Sequence, residues 1–247
     1  MPNIKLTIEY DGSNFRGWQV QPKGERTVQG LITETFDRIF KEKIKLIGSG
    51  RTDSGVHAHG QVANFHTRCG KSPMEIRSAL NAHLPADVCI VKAEKVSDLF
   101  HAQYSVQSKT YRYTIYNRDV RSPLQRNFAF LYPFALDHTL MQTEAEYLIG
   151  THDFTSFKGN NRSEKDENNV RTIHSIKIKK KGKFIWIDIT ADGFLHKMVR
   201  NIVGMLIETG AQRIPKGSIS KVLKKMNRAA AAYTAKAHGL TLLKVKY

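Results

Sequence analysis

The sequence predicts an α+β protein in two half-domains, and three observations carry that prediction. The order of patterns is strand, helix, strand, strand, helix, strand, followed by a comparable set. The chain has 247 residues, enough for one large domain or two modest ones. The boundary is placed near residues 100–107, giving half-domains of 1–106 and 107–247, and no low-complexity linker separates them, so the halves are expected to pack directly together.

Each element has its own reason. Ile4, Leu6 and Ile8 alternate with Lys5, Thr7 and Glu9, the period-2 pattern of a half-buried strand over 3–10. Thr27 is a helix N-cap, and Val28, Leu31, Ile32, Thr35, Phe36, Ile39 and Phe40 form the apolar face of a helix over about 27–42. Residues 44–49 and 60–67 read as strands around a glycine-rich loop. Ser72, Pro73 and Glu75 give a capping box with proline at the first helical position. Residues 88–96 and 108–117 read as strands, and 137–149 as a helix. The polar run 158–171 reads as a mobile surface loop. Residues 172–180 and 183–191 form a strand pair around Lys181-Gly182. A helix over 195–209 has the apolar face Leu195, Met198, Val199, Ile202, Val203, Leu206 and Ile207. A basic helix at 216–227 and a strand at 240–246 end the sequence.

Lys plus Arg total 39 against 22 for Asp plus Glu, a net charge of +17, which favours a polyanionic partner. The charge alone does not separate RNA from DNA or an anionic membrane. The best apolar run, 194–207, is broken by His196, Lys197 and Arg200 and falls far short of the roughly 20 residues of a membrane span. The first residues are charged at Lys5, Glu9 and Asp11 and lack the apolar core of a signal peptide, so a cytoplasmic protein is expected. Cys69 and Cys89 are expected as buried thiols rather than a disulfide.

The chemistry concentrates in GSGRTDSGVHAHGQVANF, residues 48–65. Asp53 lies in a glycine-punctuated loop between two strand patterns, two residues after Arg51. A carboxylate on a tight turn can be aimed at a substrate, and an adjacent arginine keeps it ionised and supplies a cation for a phosphate. Asp-Ser-Gly is also ordinary turn chemistry. Gly48, Gly50 and Gly55 leave room for a backbone or nucleotide to approach. His57 and His59 fall on one side of an extended chain but lack a third ligand at metal spacing. Tyr111, Tyr113 and Ile115 share a strand face; Tyr111 is either a core aromatic or a platform for a base, with Lys109 and Arg112 near for phosphates. Arg200 stands on the 195–209 helix opposite most of its apolar face, four residues after His196, and needs a carboxylate partner if buried.

Taken in order, YDGSNFRGWQ (10–19), TVQG (27–30), GSGRTDSGVHAHGQV (48–62), SKTYRYTIYN (108–117), HDFTSFK (152–158), NVRTI (169–173), FLHKMVRNIVG (194–204) and HGLTLL (238–243) resemble the TruA family of tRNA pseudouridine synthases nearly end to end. The resemblance implies the pseudouridine synthase fold, a mixed, mainly antiparallel sheet flanked by helices in two half-domains around a central cleft. It implies isomerisation of uridine to pseudouridine with no cofactor and no metal, by a homodimer acting on the anticodon arm of tRNA at about positions 38–40. Asp53 falls on the catalytic aspartate, attacking either C1′ of the ribose or C6 of the uracil. Tyr111 matches the tyrosine that stacks on the base, Arg51 the arginine of base extrusion, and Arg200 the arginine that pairs with the aspartate. The sequence departs from the family pattern at Ser49 and Ser54, where alanine is more usual, and at Lys236, where proline is commoner. Two other classes stay in view: an RNA chaperone that retains the fold, and a metal-dependent nuclease built on Asp53, His57 and His59.

Overall fold

A computed structural model describes residues 1–22, 24–159 and 168–247. The chain divides into two compact units, Met1–Gln107 with Thr241–Tyr247, and Ser108–Leu240.

In the first unit, β1 (Asn3–Tyr10) pairs antiparallel with β3 (His57–His66) on one side and β4 (Val88–Val96) on the other. The two-residue β2 (Ile47–Gly48) adds antiparallel to β3, and β10 (Leu240–Lys246) pairs with β3 in parallel through Thr241 and Leu242. Helix α1 (Val28–Phe40) starts at Thr27, whose hydroxyl accepts the Gly30 amide, and stops where Lys41 turns left-handed. Helix α2 (Pro73–His83) has the full Ser72/Glu75 capping box expected from its sequence. The alternation of β1 buries Ile4, Leu6 and Ile8, against which the apolar sides of α1 and α2 close a core with Phe36, Phe65, Ile76 and Leu80.

The second unit is built on β5 (Ser108–Asn117), β9 (Phe184–Ala191), β8 (Val170–Lys181) and β7 (Gly150–Asp153), all antiparallel in that order, with β6 (Phe130–Tyr132) parallel to β5. Helices α3 (His138–Ala145), α4 (Met198–Gly210) and α5 (Ser218–Lys225) complete it. Eleven of the thirteen residues of α4 are buried, so it is the core helix of this unit. Each unit therefore holds a mixed, mainly antiparallel sheet with helices.

Several expectations are corrected. The last strand, placed by chain order in 107–247, completes the first unit from Thr241 onward because it is hydrogen-bonded to β3. The 44–49 strand shrinks to β2, and the 60–67 strand begins at His57. The 137–149 helix ends at Ala145 in a 3-10 turn, Glu146–Leu148. The 195–209 helix starts only at Met198, so His196 is not on it. Of the 158–171 loop, residues 160–167 lie outside the described residues, and Val170 and Arg171 already belong to β8. Both cysteines are free, but neither is buried: Cys69 is half-buried and Cys89 is exposed on β4. Among the described residues, no helix is long and apolar enough to cross a membrane.

Candidate active site

Asp53 opens a β-turn. The Val56 amide donates to the Asp53 carbonyl at 3.1 Å, and Gly55 has φ +78° while Ser54 keeps a negative φ. That is a type II turn, which needs the positive φ at its third residue and therefore glycine there. The side chain of Asp53 is half-buried and that of Arg51 exposed.

The loop is anchored from several sides within its own unit. The Trp18 amide donates to the Thr52 carbonyl at 3.1 Å, and the Thr52 and Tyr10 hydroxyls are bonded at 2.8 Å. The Gly55 amide and the Ser54 hydroxyl both donate to the Phe15 carbonyl, at 3.3 and 3.1 Å. Gln61 accepts from the Ser49 hydroxyl at 2.7 Å and donates to the Gly50 carbonyl at 2.9 Å. Ser49 and Ser54 thus both bond within the loop or its support. A carboxylate on a backbone fixed this way is pre-positioned, which is what a nucleophile needs.

The space at Gly48 is not open to a nucleotide. The Trp18 indole occupies it: a Cβ on Gly48 would stand 2.4 Å from Nε1 of Trp18. Sequence reading passed over Trp18, Thr52 and Gln61 as support. The only hint was their place inside the matched motifs, since spacing gives no sign of a contact across the loop.

The two histidines differ. His57 is 3% exposed and its Nδ1 accepts the Gly12 amide proton at 3.0 Å. His59 is exposed, with Nδ1 3.7 Å from Glu9 Oε1. Among the described residues, no three His, Cys, Asp or Glu side chains form a group that could hold a metal.

In the second unit, Tyr111 sits on β5 opposite Ile189 of β9, 7% exposed, with Phe194 edge-on to its ring at 5.2 Å and 89°. Tyr113 and Ile115 follow on the same buried face. Lys109 shares that face, and burial followed by the nearby Arg171 charge pushes its pKa down to about 8. Arg112 projects to the other face and is bound through Nε and Nη2 to the Asp188 carboxylate, both at 2.7 Å. Its expected role as a phosphate contact beside Tyr111 is therefore corrected: strand alternation takes it away, and Asp188 neutralises it.

Arg200, on α4, is half-buried. Its Nε donates to the Ala235 carbonyl at 2.8 Å while the Ala235 amide donates to the Arg200 carbonyl at 3.1 Å, so the helix and the 228–236 segment are tied at this residue. Burial raises the pKa of the Tyr113 hydroxyl and the Arg200 charge opposes that rise. The same hydroxyl donates to the Lys236 carbonyl at 2.9 Å.

Comparison with known proteins adds a whole-chain statement. A family described as tRNA pseudouridine synthase matches residues 6–105 and 145–247, the first segment containing Arg51 and Asp53 and the second Arg200. The chain is similar to tRNA pseudouridine synthase A of Thermoanaerobacter sp. (strain X514), with 41% identity over 100% of both chains. It is similar at 43% to tRNA pseudouridine synthase A of Acetivibrio thermocellus and at 42% to tRNA pseudouridine synthase A 2 of Clostridium perfringens, again over 100% of each chain. With a motif-bearing loop of this geometry and relatives of this identity along its full length, the chain belongs to the tRNA pseudouridine synthase family.

Proposed function

We propose that this enzyme isomerises uridine to pseudouridine in the anticodon arm of tRNA, at about positions 38–40, with Asp53 as nucleophile. Its carboxylate adds to C1′ or C6 of the target nucleotide. The C1′–N1 bond breaks, the uracil rotates, C5 bonds to C1′, and the C5 proton is released as the carboxylate is freed. Tyr111 offers a ring for stacking the base, Arg51 a cation for the extrusion step, and Arg200 a cation for the substrate. Taking a base out of its stack costs a few kcal/mol. The net charge of +17 offsets this through phosphate contacts. The enzyme acts as a homodimer in the cytoplasm.

The observation that carries the reading is Asp53 itself. It is half-buried on a type II turn held by Trp18, Phe15, Tyr10 and Gln61, inside the segment that matches the family. A chaperone does not need a carboxylate so rigidly placed.

The test is tritium release from tRNA carrying 5-tritiated uridine, with chelator present, comparing wild type with Asp53→Asn. Release by the wild type alone, with the RNA backbone uncut, is expected. Release by both proteins would move the nucleophile elsewhere. Binding without release by either would favour the chaperone, and chelator-sensitive cutting of the RNA would favour the nuclease.

A further inference from the structure

Arg228 lies in a 3-10 turn, Arg228–Ala230, after α5. Its Nη1 donates to the carbonyls of Ala231 and Ala232 at 3.2 and 3.1 Å, and its Nη2 to Asn201 Oδ1 and Thr234 Oγ1, each at 3.2 Å. All four acceptors are neutral. They satisfy N–H groups but bring no negative charge, and burial holds the pKa of this arginine below its usual value. An arginine remains charged regardless.

Lys197 stands close by in the left-handed region, φ 58° and ψ 6°. That conformation is uncommon for a non-glycine residue. It is fixed on both sides: the Gly159 amide donates to the His196 carbonyl at 2.7 Å, and the Asn201 amide to the Lys197 carbonyl at 3.0 Å. Lys197, Arg228, Asn227, Thr234 and Gly159 line one cavity of about 530 Å³. That is far more than the roughly 30 Å³ of a water. Among the described residues, no carboxylate lines it and none pairs with Lys197 or Arg228. Asn227 uses Oδ1 to accept the Ala229 amide, so its amide nitrogen remains as a donor.

Two cations and an amide donor around a cavity with no acid among its described lining residues make an anion site. We propose that this cavity holds a backbone phosphate of the RNA substrate, with Lys197 and Arg228 as its cations. This rests on the tRNA reading above and adds a substrate contact outside the residues assigned there. A phosphodiester suits the site because it brings one negative charge and several acceptor oxygens, whereas its base and sugar need no specific partner.

The test uses an unmodified tRNA transcript and Lys197→Asn, since asparagine tolerates the left-handed conformation and removes the charge. Affinity should fall roughly 3- to 10-fold near physiological salt, and the slope of log K against log salt should become shallower by about 1. Lys197→Arg should recover both. Arg228→Gln should act in the same direction, but because Arg228 also ties its loop together, Lys197 decides the matter. Titration with inorganic phosphate alone should give no saturable binding. Saturable phosphate binding that Lys197→Asn abolishes, with tRNA affinity unchanged, would assign the cavity to free phosphate and overturn the proposal. Folded Lys197→Asn with wild-type affinity and slope, beside a wild type that releases tritium, overturns the cavity proposal alone. A wild type that neither binds tRNA nor releases tritium overturns the functional reading, and this one with it.

Discussion

Gly12 and Val56 are in backbone contact: a Cβ on Gly12 would stand 2.0 Å from the carbonyl oxygen of Val56. The contact joins the turn after β1 to the last residue of the Asp53 turn. On the same residue, the Gly12 amide donates to His57 at 3.0 Å. The glycine therefore sets how far the Asp53 turn sits from the end of β1, and no side chain fits between them.

Gly12→Ala must displace one of those two backbones. Overpacking of this kind costs about 1–3 kcal/mol, so the urea midpoint should drop at unchanged m-value. Because the displaced atoms belong to the turn that Asp53 opens, tritium release should also fall under conditions where the variant is fully folded. A variant with wild-type midpoint and wild-type release would show that the turn tolerates the shift.

Tyr111 separates two contributions of one side chain. Its ring is packed edge-on by Phe194 and backed by the Ile189 strand position, so Tyr111→Phe keeps the packing and removes only the hydroxyl. We expect Tyr111→Phe to retain tRNA affinity within about twofold, since stacking is worth about 1–3 kcal/mol and needs only the ring. We propose that the hydroxyl also assists loss of the C5 proton, so tritium release should drop much further. Equal loss of affinity and turnover would mean that the hydroxyl serves binding. Unchanged turnover would remove Tyr111 from proton transfer.

The backbone of Lys236 is already set for a proline. It has φ −60° and ψ 144°, close to the angle that a proline ring imposes. Its carbonyl takes the Tyr113 hydroxyl at 2.9 Å, a bond that proline retains. Lys236→Pro should stabilise the protein by about 0.4–1 kcal/mol through the entropy of the unfolded chain, read as a higher urea midpoint with turnover intact. A lower midpoint would show that the Lys236 amide or the preceding Ala235 conformation resists the ring.

How much of this was legible in the sequence depends on the range of the interaction. Local rules were: the Thr27 cap, the Ser72/Glu75 capping box and the alternation of β1 all depend on residues within a few positions, and each stands as expected. The 195–209 pattern failed at its start because Leu195 is buried like a helical residue, while the left-handed Lys197 breaks the backbone without disturbing the apolar spacing. Strands β6 and β7 are three and four residues long, too short to show a period. Long-range packing was invisible. Nothing near Gly48 announces that Trp18 fills its open side, and nothing in SKTYRYTIYN announces that Asp188 claims Arg112. The same limit applies to the candidate site. The motif locates Asp53, but its supports Trp18, Tyr10 and Gln61 become visible only in three dimensions.

Lys109 gives a prediction in pH. Its folded pKa is pushed down to about 8, first by burial and then by Arg171, against about 10.4 in an unfolded chain. Below pH 8 both states hold the proton, and the folded protein carries the cost of a half-buried ammonium. Between pH 8 and 10.4 the unfolded state still binds the proton that the folded state has released, so stability rises with pH, by at most about 1.4 kcal/mol per unit. Lys109→Met removes this dependence. The variant should therefore be more stable than wild type at pH 7, and its advantage should shrink by pH 9.5, measured as the difference in urea midpoints. The same titration removes a cation two residues from Tyr111, so wild-type tRNA affinity should weaken through pH 8 while that of Lys109→Met stays flatter. A stability difference that stays constant from pH 7 to 9.5 would show that the Lys109 ammonium is solvated in the folded protein.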